Sequence, residues 1–176
     1  MKNRNSIFKI IVLALFVLTL TACGQKLSER EDVEITDVTI QVPEGFQEVT
    51  ENIWLLNAES DDRSNINLTV APHVSEKEEY TQEAIRQLML DAYEQQGLEI
   101  EDFQNTEVEY GEIDGFDTAQ YEMTYVLQGV PIHQIQLVIF SQIEDYTYTF
   151  TAMDNQTWLE PFKDSIESIS IEHHEI

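Results

Sequence analysis

Few side chains in this chain of 176 residues could carry chemistry: one cysteine, four histidines and a large excess of carboxylates. Cys23 closes the run Leu20-Thr21-Ala22-Cys23-Gly24. A single cysteine permits no intrachain disulfide. His73 follows Pro72, and His133 stands two residues after Pro131; both read as exposed loop residues. An isolated imidazole needs a second group to orient it before it can serve as base or ligand. His173-His174-Glu175 could chelate a transition metal, but a chain end supplies no preorganised geometry. Asp61-Asp62, and Asp114 with Asp117, fall short of the about six to eight oxygens that calcium takes. The chain has no Gly-x-Ser-x-Gly elbow, His-Glu-x-x-His helix, P-loop, dinucleotide fingerprint or EF-hand loop. The expectation is no catalytic residue, no metal site and no cofactor.

The segment before Cys23 says where such a thiol would be used. Lys2, Arg4 and Lys9 precede an apolar stretch from Ile10 to Leu20, with no acidic residue before Cys23. Basic then apolar is the pattern of a signal peptide. The stretch is short for a bilayer span, which takes roughly 20 apolar residues, so cleavage is favoured over a retained anchor helix. The run Leu20 to Gly24 resembles the lipobox of bacterial lipoproteins. That resemblance implies a diacylglyceryl group on Cys23, a cut between Ala22 and Cys23, and acylation of the new amine. Two or more chains anchor firmly, since each buried methylene contributes about 0.8 kcal/mol. Cys23 is therefore the expected lipid attachment site, the lipid bilayer the expected partner, and the extracytoplasmic face of the cell membrane the expected location.

The parts that follow are a signal peptide at 1–22, a tether at 23–32, a domain at 33–172 and a polar tail at 173–176. The tether, about ten residues long, typically reaches under about 20 Å. The signal carries three of the nine basic residues, which leaves six against 34 acidic ones. Such a domain repels nucleic acid and anionic headgroups, both of which require clustered Lys or Arg. Nucleic acid is excluded as a partner. The carboxylates are spread along the chain without a ligand cluster, as suits hydration in a salty exterior.

The elements that must position any site begin at Val33. Val38, Ile40 and Val42 alternate with polar residues, and Pro43-Glu44-Gly45 breaks that strand. A second strand covers Asn52 to Asn57, and Ile66, Leu68 and Val70 make a third that Pro72 ends; the three look like a meander. Ala84, Ile85, Leu88, Met89, Ala92 and Tyr93 recur at helical spacing between Glu78 and Gln96 and predict one buried stripe. Ser75 with Glu78, or Thr81, caps its start, and Gly97 suits its end. Thr106, Val108 and Tyr110 form another strand, and a turn between Gly111 and Gly115 leads into Ala119, Tyr121, Met123, Tyr125 and Leu127. Gln128 to Pro131 turns the chain into Ile135, Leu137 and Ile139; Glu144-Asp145 turns it again into Tyr146, Tyr148, Phe150 and Ala152. A last helix, capped by Asp154 or Asn155, buries Trp158, Leu159, Phe162, Ile166 and Ile169. Pro161 fits only its first turn.

This order predicts an α+β fold: an antiparallel β-sheet with two main helices packed on it. Opposite the apolar face, the alternation places Glu122, Thr124, Gln134, Gln136, Thr147, Thr149 and Thr151, with Val126, Val138 and Phe140 among them. Whether the helices share one face or flank both stays open. The order strand, Pro43-Glu44-Gly45-Phe46, strand, Ile66-Asn67-Leu68-Thr69-Val70, helix, turn to Gly115, Tyr-rich meander and the Trp158/Phe162/Ser165/Ile166/Ser168 helix resembles the PsbP-like superfamily. Within it, the chain looks most like the DcrB-like bacterial envelope lipoproteins. The resemblance covers Val33 to Ile171. It implies an α/β/α sandwich, an extracytoplasmic location and a role in binding or assisting assembly, with no catalytic residues to carry over. Phe46 departs from the Trp that many relatives have there.

Two readings follow. The first is a membrane-anchored, non-enzymatic lipoprotein with a binding or accessory role in the cell envelope, its partner an envelope protein. The second is a solute- or divalent-metal-binding lipoprotein, which requires converging carboxylates or histidines.

Overall fold

Two tight hairpins fix the register of the sheet. In the computed structural model the described residues are 33–56, 62–73, 76–153 and 157–175; Cys23, the signal segment, the tether, Asp61, Ser75, Asp154 and Asn155 lie outside them. Strand β6 (Glu109–Ile113) turns into β7 (Phe116–Leu127) through Asp114 and Gly115, and β7 turns into β8 (Val130–Phe140) through Gln128 and Gly129. All four turn residues have positive φ, from 48° at Asp114 to 88° at Gly115. Two consecutive left-handed residues make the turn whose twist matches that of paired strands. Asp114 also accepts, through Oδ2, a hydrogen bond from the Ile171 backbone N–H at 2.8 Å.

The remaining strands are β1 (Val33–Thr39), β2 (Phe46–Thr50), β3 (Ile53–Leu56), β4 (Asn65–Pro72), β5 (Ile100–Asn105), β9 (Glu144–Met153) and β10 (Ser170–Glu175). Among the described residues, eight strands form one sheet in the order β2-β3-β4-β9-β8-β7-β5, with β6 also paired to β7. The outer edge of β7 is thus shared, β5 lying along Met123 to Leu127 and β6 along Phe116 to Gln120. Among the described residues, strands β1 and β10 pair only with each other. Three expectations change here. The first strand does not join the meander, which is β2-β3-β4. The segment from His173 to Glu175 is not a tail, because it continues β10 against β1 up to Val33 opposite Glu175. Strands β2 and β5 also stand where no strand was expected.

Helix α1 (Gln82–Gln95) begins at Thr81, whose hydroxyl accepts from the Ala84 N–H at 3.2 Å. The preceding residues form a separate short turn of 3-10 helix, Lys77–Glu79. Helix α2 (Leu159–Glu167) starts where Pro161 falls in its first turn.

The helices flank opposite faces of the sheet. Ile85, Met89 and Tyr93 of α1 pack with Phe103, Ala119, Tyr121, Met123, Tyr125, Leu127, Val138 and Phe140. Phe162 and Ile166 of α2, together with Ile35 and Ile171 of the small sheet, pack with Ile66, Ile135, Leu137, Ile139, Tyr148 and Phe150. The result is an α+β domain in three layers. Leu88, read as part of the buried stripe, is 47% exposed. The contact line of α1 runs through residues 85, 89 and 93, and Leu88 sits about 100° round the helix from Met89.

Candidate functional site

Residues directly opposite each other in an antiparallel pair share a face, so register divides the polar side chains between the two faces. Glu122 lies opposite Ile135, and Thr124 opposite His133, on the α2 side. Gln134 and Gln136 lie opposite Met123 and Tyr121, on the α1 side. The single polar face expected from alternation is therefore two. On the α1 side, one rung of the sheet reads Tyr121, Gln136, Thr149, Asn67, and the next reads Met123, Gln134, Thr151, Asn65.

Apart from Met123 these side chains are neutral, polar and buried, with Gln136 only 1% and Asn65 2% exposed. Buried amides and hydroxyls normally find hydrogen-bond partners, and an open one costs about 1–3 kcal/mol. Part of the demand is met within the array. The Tyr121 hydroxyl donates to Gln136 Oε1 at 2.6 Å, Gln134 Nε2 donates to Thr151 Oγ1 at 3.1 Å, and Asn65 Nδ2 donates to the Arg63 carbonyl at 3.0 Å. Asn65 Oδ1, Asn67 Oδ1 and Gln136 Nε2 are buried without a partner. Two acceptors and one donor are left open on one face.

A charged cluster borders this array. Strand β9 places Asp145 opposite Phe140, and His73 Nδ1 lies 2.7 Å from Asp145 Oδ1. The rings of His73 and Tyr80 both meet Phe140 edge-on, with centroids 6.4 and 5.2 Å away. Burial pushes the Tyr80 phenol up to about 12, with Asp145 and Glu79 adding to it. The Tyr121 phenol is also raised, by burial first and then by Tyr80. Nearby, Lys77 Nζ holds Asp117 Oδ1 at 2.6 Å.

The histidines are not the exposed loop residues expected. His73 is paired as above, its side chain 18% exposed. His133 stands within β8, where its Nε2 lies 2.8 Å from Glu122 Oε2, and Lys163 from α2 approaches the other oxygen of that carboxylate at 3.5 Å. Asp62 accepts from Trp158 Nε1 at 2.8 Å and from Ser64, a structural use of this carboxylate. No group of three His, Cys, Asp or Glu among the described residues could hold a metal ion. Cys23 lies outside the described residues. Of the site residues found here, Gln134, Gln136, Thr149 and Thr151 were visible as polar positions in apolar strands, whereas Asn65 carried no signal. Asn67 stands out as a polar position that alternates with Ile66, Leu68 and Val70 in the third strand.

No protein-family model matches the sequence, and neither does any curated protein. Solved structures do. The chain superposes on the cyanobacterial PsbP protein CyanoP from Synechocystis with a TM-score of 0.58, covering 87% of this chain and 99% of that one at 11% identity. The fold is PsbP-like. LpqN of Mycobacterium tuberculosis, described as involved in cell envelope biogenesis, matches with a TM-score of 0.50 at 17% identity, over 81% of this chain and 86% of that one. At these identities the likeness is one of fold, and it bears out the PsbP-like α/β/α sandwich.

Proposed function

We propose that the protein is a lipid-anchored, extracytoplasmic binding protein of the cell envelope that works without catalysing a reaction, and that the polar sheet face on the α1 side is its binding surface. The observation that carries this is the run of neutral polar side chains across that face, from buried Gln136, Thr149 and Asn67 to half-buried Thr147 and Thr69. Such an array recognises and orients; it offers no nucleophile paired with a base. The anchor rests on the basic-then-apolar leader and Cys23. Both the PsbP-like fold and the involvement of LpqN in cell envelope biogenesis agree with an accessory role. An envelope protein is the partner this reading favours.

In-cell crosslinking with metabolic labelling by an alkyne fatty acid tests both halves. The wild type is expected in the membrane fraction, labelled and crosslinked to a specific neighbour; Cys23→Ser is expected to lose the label and that neighbour together. An unlabelled wild type sinks the anchor, and a labelled wild type with no specific neighbour sinks the binding role.

A further inference from the structure

We infer that the free edge of β6 is a docking site for an extended, basic segment of a partner protein, which joins the sheet there as an added strand. The edge lies apart from the polar face on the α1 side, and it stands or falls separately from that face.

The turn decides which backbone groups are open. In a two-residue hairpin the flanking residues, here Ile113 and Phe116, exchange hydrogen bonds, and along an antiparallel ladder bonded and non-bonded pairs alternate. Gly111 and Glu109 therefore bond to β7 through Thr118 and Gln120, whereas Tyr110 and Glu112 aim their N–H and C=O groups away from it. Residues 109 to 112 are all exposed, so this row faces solvent. The other edges are blunted. Strand β2 is bulged between Glu48 and Thr50, β5 between Glu101 and Gln104, and β1 between Ile35 and Asp37, while β10 gives its Ile171 N–H to Asp114. Bulges close an edge to further pairing. Strand β6 pairs with β7 along all 5 of its residues without a shift and contains no Pro or Lys.

Charge selects the occupant. No Lys or Arg occurs between Arg86 and Lys163, while Glu107, Glu109 and Glu112 lie in or beside β6 and Asp114 in the turn after it. A second copy paired at this edge would set like charges against each other, which is destabilising. A Lys or Arg opposite Glu112 makes a cross-strand ion pair. One opposite Tyr110 meets a ring that is 50% exposed and is held by the bond from its hydroxyl to the Tyr80 carbonyl at 2.8 Å. Tyr110 and Glu112 share one face of the strand, so the fitting segment carries a basic residue at every second position. Its main chain supplies affinity and its basic side chains supply selectivity.

The test uses the full chain in a zwitterionic detergent, titrated with a capped five-residue peptide of alternating lysine and valine and followed by amide NMR. Saturable shifts centred on the Tyr110 and Glu112 N–H groups, with slower hydrogen exchange there, are expected. The same peptide N-methylated at its lysines keeps its charge but loses the N–H groups that would bond to β6. It should bind at least about fivefold more weakly, as the loss of two hydrogen bonds would. Glu112→Gln keeps the edge backbone and should weaken binding of the unmodified peptide by about two- to fivefold, the worth of one cross-strand charge pair, while near-UV circular dichroism stays that of the wild type. Three results overturn the inference: no saturable shift at β6, equal binding of the N-methylated peptide, or equal binding of a glutamate–valine peptide of the same length. Protection of the Tyr110 and Glu112 amides that rises with protein concentration in the absence of peptide assigns the edge to a second copy and overturns it as well.

Discussion

Tyr121 and Gln136 face each other across β7 and β8, and the phenol donates to the amide oxygen at 2.6 Å while the amide nitrogen has no partner. One bond thus occupies half of a fully buried group. Tyr121→Phe leaves both ends of Gln136 open and is expected to cost about 1–3 kcal/mol. Adding Gln136→Leu removes both polar partners and should recover most of that loss. Urea unfolding of the two single variants and the double variant measures the coupling; equal losses in Tyr121→Phe and the double variant would refute it.

Phe162 is fully buried among Phe46, Phe150 and Trp158, its centroid 5.6 Å from that of Phe46. Phe162→Ala should destabilise by about 3–5 kcal/mol through lost burial and the cavity left behind. Leu88→Ala, on the solvent side of α1, should stay within about 0.5 kcal/mol. Denaturant midpoints of the two variants rank them, and a large effect at Leu88 would mean that α1 buries a different face.

Tyr80, Tyr93, Tyr121, Tyr125 and Tyr148 all have phenols raised by burial. An unfolded tyrosine ionises near pH 10, so above that pH the unfolded state holds fewer protons than the folded one and stability falls as pH rises. The stabilisation is complete below pH 10 and, for Tyr80, is lost by the time pH passes its folded value of about 12. Phenolate absorbance and circular dichroism, followed together from pH 9 to 12.5, should show these residues ionising as the fold is lost. Ionisation complete near pH 10 with intact circular dichroism would contradict their burial.

Thr81→Ala removes the side-chain acceptor for the Ala84 N–H and should cost about 1 kcal/mol. Thr81→Asn should restore it. Thermal unfolding read by circular dichroism distinguishes the two, and no difference between them would mean the cap is not made.

Much of the architecture was legible because its signals are local. Thr81, Pro161 and the two positive-φ turns announce the helix starts and hairpins, and the long strands alternate strongly. Strands β2 and β5 were silent for a physical reason: edge strands bury little, and in them Val49, Glu101 and Asp102 are exposed. The division of polar residues between faces was within reach. A two-residue turn at Gln128-Gly129 pairs odd-numbered residues of β7 with even-numbered residues of β8, which puts Tyr121 with Gln136 rather than with Leu137. The apolar periods of the two strands therefore point to opposite sides, and that is what builds a sandwich. Asn65 could not be found from sequence, since its role depends on pairing with a strand more than 80 residues later.

The pairing of β1 with β10 brings Val33 opposite Glu175, so the folded domain starts and finishes at one spot. A short linker there would close the chain into a ring, and new ends opened at Gln128-Gly129 would give a permuted order of the same strands. It also means that a reporter fused after residue 176 would be held close to Val33, whereas an epitope placed in the Gln128-Gly129 turn would be attached directly to β7 and β8.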